Sequence, residues 1–104
     1  MRVIAIGTLR DFWTMHRDAE TPLRAWHAEA SRASWRSPAD IKQSHANASF
    51  LANNRVVFNI KGNDYRLVVA VNYEHRIVFI KWIGTHADYD GIDVRTVSYE
   101  HQAD

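Results

Sequence analysis

The sequence predicts an α+β fold in which a short N-terminal strand and a helical pair pack on a C-terminal three-stranded antiparallel meander. Apolar residues recur at helical spacing through the first half of the chain, and from Arg55 the spacing changes to the alternation of strands. The pair Gly62-Asn63 separates the first two apolar runs of the second half and is typical of a tight hairpin. Helices followed by a meander place the helices on one face of the sheet.

The first two predicted elements are a strand and a helix. A β-branched run at residues 2–6, RVIAI, predicts a short opening strand. Thr8 suits a helix N-cap, with Asp11 three residues later as its partner in a capping box. The first helix is therefore predicted over about residues 9–18.

Proline marks the beginning of the next two helices. The threonine-proline pair at residues 21–22 supplies a cap and a proline at the first helical position, and apolar residues follow at helical spacing. The serine-proline pair at residues 37–38 repeats this signal and predicts a short third helix that ends near Asn47. Residues 48–54 are predicted to form a loop.

Three strands are predicted in the second half, over residues 55–61, 64–73 and 76–83. The first connection is the glycine-asparagine turn. The second connection, at residues 74–75, contains no glycine, so the sequence specifies its length less strongly.

Composition excludes several classes of protein. Residues 1–104 are predicted to form a single domain, and 46% hydrophobic with 24% charged residues is typical of a soluble globular protein. The chain has no cysteine, no apolar segment of membrane length and no signal-peptide pattern, so we expect a cytoplasmic protein with no membrane partner. The net charge of +1 does not indicate a particular class of binding partner. The last residues, HQAD, are expected to be a fraying tail.

Neither a cofactor nor a metal site is expected. His16, His27 and His45 lack the close spacing of metal ligands, and no cysteine is present. The sequence also contains no glycine-rich phosphate loop, no GxSxG and no HExxH motif. The aromatic residues of the helices are assigned to the core.

Polar residues meet where the first hairpin turns. If the glycine-asparagine pair forms the turn, Asn59 lies opposite Arg66, and Lys61 lies opposite Asp64. These four residues then share one face of the hairpin, and we call them the hairpin patch. The other face carries apolar side chains, namely Val56, Phe58, Ile60, Tyr65, Leu67 and Val69.

The third strand brings further polar residues toward the hairpin patch. A two-residue second turn places Ile83 opposite Arg66 and Lys81 opposite Val68, so that Lys81 joins the patch diagonally. The segment THADYD, residues 85–90, then emerges beside Arg66 and delivers a histidine, a tyrosine and an aspartate next to two cations. One extra residue in the second turn would reverse the face of every side chain in the last strand.

Each of these residues also has a purely structural explanation. Asn59 and Arg66 can be a solvated cross-strand pair, and Lys61 with Asp64 an exposed ion pair of little energetic value. Arginine and lysine supply fixed charge for a phosphate, however, and histidine can move a proton near neutral pH. A binding or catalytic site is favoured by the convergence of six residues: Asn59, Lys61, Arg66, Lys81, His86 and Tyr89.

Two segments of the second half, VVFNIKGNDYRLVVAV and THADYD, form a specific combination. Together they resemble the HigB-type toxins of bacterial toxin-antitoxin modules, a branch of the RelE-like superfamily. The family pattern is a strand ending in FNI or FNV, a GN turn, an arginine at the start of the next strand and a closing TH-x-x-YD. Ten residues fit this pattern: Phe58, Asn59, Ile60, Gly62, Asn63, Arg66, Thr85, His86, Tyr89 and Asp90. In the helical first half the resemblance holds only in outline, through the WRSPADIK segment at residues 35–42.

The resemblance implies a RelE-like fold and a small ribonuclease that cleaves messenger RNA, usually on the ribosome. It further implies a partner antitoxin of the HigA type, which contains a helix-turn-helix and holds the toxin inactive. Such enzymes use the ribose 2′-OH as nucleophile and need no metal. Some RelE-like relatives instead poison gyrase and cut no RNA, so a noncatalytic inhibitor of a protein target and a simple RNA-binding module are the alternatives.

The resemblance and the expected chemistry together assign roles to the predicted site. Arg66 is the expected stabiliser of phosphate charge, His86 the expected acid or base, and Tyr89 a residue that stacks on a base or donates a proton. Further contacts with the RNA substrate are expected from five polar residues: Asn59, Lys61, Asn63, Lys81 and Asp90.

Overall fold

The computed structural model describes residues 1–98, so the tail predicted at HQAD lies outside the described residues. The elements are β1 (Arg2–Ile4), α1 (Ile6–Met15), α2 (Glu20–Arg32), α3 (Pro38–Ser44), β2 (Ser49–Leu51), β3 (Arg55–Ile60), β4 (Tyr65–Asn72), β5 (Ile77–Thr85) and α4 (His86–Tyr89). A 3₁₀ turn (Arg17–Ala19) joins α1 to α2. The predicted α+β class is confirmed.

Within residues 1–98 the sheet has five strands, in the order β1-β5-β4-β3-β2. β1 is parallel to β5, and the other neighbours are antiparallel. The predicted meander forms the centre of this sheet, and the two short strands extend its edges. β2 lies where a loop was predicted. It is three residues long and is defined by its pairing with β3, which no local sequence pattern reveals.

Several helix boundaries differ from the prediction. α1 begins at Ile6, so Thr8 lies inside the helix and not at its N-cap. The residue before the helix is Ala5, which has a left-handed backbone with a φ of 76° and makes no side-chain cap. α1 also ends at Met15, before the predicted end near residue 18. α2 begins at Glu20 after Ala19, so the predicted cap at Thr21 and the proline after it lie within the first turn of the helix. α3 ends at Ser44, before the predicted end near Asn47. All of these differences concern the ends of helices, where local signals are weakest.

The register of the first hairpin is as predicted. Asn59 pairs with Arg66, Phe58 with Leu67, and the last pair before the turn is Ile60 with Tyr65. The backbone leaves the strand at Lys61, which is left-handed with a φ of 53°, and the Asp64 amide donates to the Lys61 carbonyl oxygen at 3.1 Å. The glycine-asparagine pair is therefore enclosed in the turn.

The register between β4 and β5 was predicted correctly only near the second turn. Asn72 pairs with Ile77, as a two-residue turn requires, but a β-bulge between Val68 and Val69 shifts the register by one residue. Beyond the bulge Trp82, and not Lys81, lies opposite Val68. Gly84 in turn takes the position opposite Arg66 that had been predicted for Ile83.

One face of the sheet packs against the helices and forms the main core. Leu9 from α1 and Leu23 from α2 are fully buried against this face, and Trp26 stacks edge-on against Phe58 with 5.4 Å between ring centroids. Burying one such leucine side chain contributes about 1.5–3 kcal/mol. The helical pair therefore anchors the sheet, as the sequence pattern predicted.

The opposite face of the sheet has a smaller core of its own. Val57, Val68 and Trp82 are buried there under the segment that follows α4. Arg55 holds that segment, because its guanidinium donates to the carbonyl oxygens of Val94 at 3.1 Å and Val97 at 2.8 Å. No helix within residues 1–98 is long and apolar enough to cross a membrane.

Candidate functional site

Arg66 is the second residue of β4 and lies opposite Asn59 on β3 and Gly84 on β5. Its guanidinium donates to the carbonyl oxygen of Asn63 at 3.0 Å and to the side-chain oxygen of the same residue at 3.1 Å. A guanidinium carries its donors in a rigid plane, so two bonds to one turn residue fix its orientation. The hairpin turn thus holds the arginine in place.

His86 begins α4 directly after β5. Thr85 caps this helix, because its hydroxyl oxygen accepts from the Asp88 amide at 3.1 Å. The His86 amide donates to the carbonyl oxygen of Asp64 at 3.0 Å. The start of α4 is therefore tied to the same hairpin turn that orients the arginine.

The side chains of Arg66 and His86 meet on one face of the sheet. A terminal guanidinium nitrogen lies 3.1 Å from Nδ1 of the imidazole. A guanidinium can only donate, so Nδ1 is the acceptor and the proton of the neutral ring is on Nε2. Nε2 lies 4.0 Å from a carboxylate oxygen of Asp90, and the histidine side chain is 49% exposed. The prediction that the arginine and the histidine share one face is confirmed.

Tyr89 completes this group. The guanidinium carbon of Arg66 lies 5.9 Å from the centroid of the Tyr89 ring. The centroids of the Tyr89 and Trp82 rings are 6.2 Å apart, and the two ring planes are tilted by 50°. A Cβ at position 84 would overlap the six-membered ring of that tryptophan, so only glycine lets the indole lie across β5. We refer to Arg66, His86 and Tyr89, with Asn63 and Asp90, as the Arg66 site.

The two lysines predicted for this site contact residues outside the group just described. The ammonium group of Lys61 pairs with Asp18 at 2.7 Å and with Asp64 at 3.4 Å, because the left-handed backbone turns it out of the strand. Lys81 lies at the bulge, with its ammonium nitrogen 5.7 Å from the ring centroid of Phe79. The bulge removes the diagonal position that the uniform register gave to this lysine.

A family model described as HigB toxin, the RelE-like toxic component of a toxin-antitoxin system, matches residues 19–92. The chain belongs to this family. The match contains the hairpin and the THADYD segment, and it confirms the resemblance drawn from those residues. No curated protein matches the chain. This HigB-type protein is therefore the toxic component of a toxin-antitoxin system and has an antitoxin as its partner.

The toxin also contains a polar cluster that sequence reasoning missed. The Asp18 carboxylate accepts hydrogen bonds from the Lys61 ammonium at 2.7 Å and from the Tyr65 hydroxyl. These bonds hold the pKa of Asp18 below its usual value and raise the pKa of both donors. The cluster ties the 3₁₀ turn to the hairpin turn. No local pattern indicates it, because 43 residues separate Asp18 from Lys61.

This cluster predicts a pH-dependent contribution to stability. Because the pKa of Asp18 is lower in the folded toxin than its usual 3.8, its stabilisation is present above that value and is lost as the pH falls through the folded pKa. Urea unfolding from pH 7 to pH 3 should show Asp18→Asn less stable than wild type at neutral pH, with the difference closing in acid. Asp11→Asn, on an exposed position of α1, is the matched control. A difference that stays constant with pH would contradict the predicted role of the Asp18 charge.

No group of three or more histidine, cysteine, aspartate or glutamate side chains within residues 1–98 is placed to hold a metal ion.

Proposed function

We propose that this toxin is a metal-independent endoribonuclease that cleaves messenger RNA on the ribosome. The observation that carries the proposal is the 3.1 Å contact between Arg66 and Nδ1 of His86. It brings a permanent cation and an imidazole, the commonest proton carrier of enzymes, to one exposed location. These are two of the groups that cleavage of a phosphodiester without a metal requires.

The proposed reaction uses the ribose 2′-OH as nucleophile. Its oxygen forms a bond to the adjacent phosphorus while the bond from phosphorus to the 5′ oxygen breaks, which leaves a 2′,3′-cyclic phosphate and a 5′-hydroxyl. One group must take the proton of the 2′-OH, and another must give a proton to the leaving oxygen. The phosphorane between these steps carries an extra negative charge that must be stabilised.

The residues of the Arg66 site match these requirements. Arg66 stabilises the phosphorane, and its two bonds to Asn63 set its orientation before the substrate binds. His86 exchanges a proton through Nε2, because Nδ1 is occupied by the arginine, and Asp90 helps to orient the ring. Tyr89 stacks on a base beside the phosphate or gives the proton to the leaving oxygen.

The antitoxin is proposed to be of the HigA type, with a helix-turn-helix and a segment that covers or distorts the Arg66 site. A segment with acidic and apolar residues suits this surface, because the exposed guanidinium offers a charge partner and the tyrosine ring an apolar contact. The ribosome is proposed as the place of cleavage. The modest net charge of +1 favours recognition of messenger RNA already held in position over binding to free RNA by charge alone.

The proposed chemistry is tested with purified toxin and a short messenger RNA, both free and programmed on ribosomes. The expected products carry a 2′,3′-cyclic phosphate and a 5′-hydroxyl. Replacing the 2′-OH by hydrogen at the mapped cleavage position should abolish cleavage there, whereas the same change one nucleotide away is the control. Cleavage that persists without the 2′-OH would exclude this nucleophile.

A further inference from the structure

The free edge of β3 borders a pocket that lies outside the Arg66 site as defined above. β2 pairs with β3 only from Arg55 to Val57, so residues 58–60 lack a neighbour on that side among the described residues. The loop that follows α3 passes beside this edge, and the two border an open cavity of about 280 Å³. Its walls include Ser44, His45, Asn47, Phe58, Asn59 and Gly62.

The walls of this edge cavity are polar but carry no formal charge. None of the lining residues is a lysine, arginine, aspartate or glutamate. The His45 ring packs on Phe58 with 4.9 Å between centroids, and burial lowers the pKa of this histidine, although Glu29 opposes the shift. Burial therefore disfavours the charged form of this imidazole, and the lining offers no lysine or arginine to an anion.

Two asparagines are among the residues that line the edge cavity. Asn47 and Asn59 are exposed, and neither side chain makes a hydrogen bond within residues 1–98. An amide presents one donor group and one acceptor side by side, which is the pattern that reads the edge of a nucleobase. Single-stranded RNA is recognised through such edges, together with flat side chains on which bases stack.

One residue, Asn59, links the edge cavity to the Arg66 site in the strand register. Asn59 forms a wall of the cavity and pairs directly with Arg66 across the hairpin, where paired Cα atoms are about 4.5–5.5 Å apart. The arginine is cationic, and the neighbouring cavity is polar and uncharged. A nucleotide has the complementary arrangement, because its phosphate is anionic and its base is neutral and polar.

We infer that the edge cavity is a nucleobase subsite, which holds the base of a nucleotide next to the cleaved phosphate and reads its edge with Asn47 and Asn59. This inference rests on the proposed ribonuclease function. It means that the toxin selects one base at a fixed position relative to the cut, and that this selection comes from the loop after α3 and not from the catalytic residues. An antitoxin segment is the competing occupant.

Cleavage-site sequencing of Asn47→Ala, Asn59→Ala and the double variant tests the subsite. We expect the base preference at one position beside the cut to fall about tenfold or more in the double variant, because a good amide contact discriminates by roughly that factor. The total cleavage of an RNA pool should fall less than the preference. Gln43→Ala, an exposed amide on α3 outside the cavity, is the matched control and should keep the wild-type pattern.

The outcomes separate this inference from the function on which it rests. If wild type leaves RNA intact with and without ribosomes, the proposed ribonuclease function is wrong, and the inferred nucleobase subsite is wrong as well. If wild type cleaves and the folded double variant keeps the full base preference, only the subsite is overturned. Loss of antitoxin binding in the double variant with an unchanged cleavage pattern would likewise overturn it, in favour of a protein-binding cavity.

Discussion

Replacing Arg66 by alanine is expected to lower the rate of RNA cleavage by about a hundredfold or more, because no water molecule can replace a preorganised cation beside the phosphorane. The fold should survive, since the guanidinium bonds to the hairpin turn and to His86 and not to residues of the core. Single-turnover cleavage of programmed messenger RNA measures the effect, with circular dichroism to confirm folding. Arg10→Ala, on an exposed position of α1, is the control.

The substitution Arg66→Lys separates charge from geometry. Lysine keeps the positive charge but loses the planar fork that donates to Asn63 and to His86 at the same time. A site that needs this orientation should be nearly as impaired as the alanine variant. Cleavage by the lysine variant at the wild-type rate would show that positive potential alone is required.

Replacing His86 by alanine is expected to slow cleavage by about a hundredfold, the contribution of a positioned general acid or base. The change should leave α4 in place, because the His86 amide that binds Asp64 and the Thr85 cap are retained in the variant. Added imidazole should restore part of the activity, since a small molecule can enter the vacated space and carry the proton.

The rescue experiment distinguishes proton transfer from orientation of the arginine. Imidazole should accelerate His86→Ala but leave Arg66→Ala unchanged, and the pH dependence of cleavage should be altered in the histidine variant. A histidine variant that is fully active, or one that is slow and gains nothing from imidazole at any pH, would contradict the role of His86 as a proton carrier.

The hairpin and its site could be predicted from sequence because local chemistry determines them. The glycine-asparagine pair fixed the turn, the turn fixed the register, and the register placed Asn59 opposite Arg66. The end of β5 brings His86 beside the arginine, even though the register predicted for this part of β4 and β5 was wrong by one residue. Both the predicted and the observed register place the THADYD segment after the same strand, beside the same turn.

The remaining features depend on contacts between distant segments. The bulge that displaces Lys81 has no turn residue to indicate it, and it lies next to the position where Trp82 packs across Gly84. Asp18 meets Lys61 because the 3₁₀ turn and the hairpin turn are neighbours in the folded chain. Strand β2 exists only through its pairing with β3. Periodicity within one segment contains none of this information.

Whether the Arg66 site acts by cutting RNA is tested most directly in cells, by mapping transcript 5′ ends in the first minutes after the toxin is induced without its antitoxin. Wild type is expected to produce new 5′ ends within messenger RNA before growth stops, and folded Arg66→Ala is expected to produce neither the new ends nor the arrest. Growth arrest by both proteins without new 5′ ends, preceded by a change in DNA supercoiling, would contradict the ribonuclease function and indicate a noncatalytic inhibitor of a protein such as gyrase.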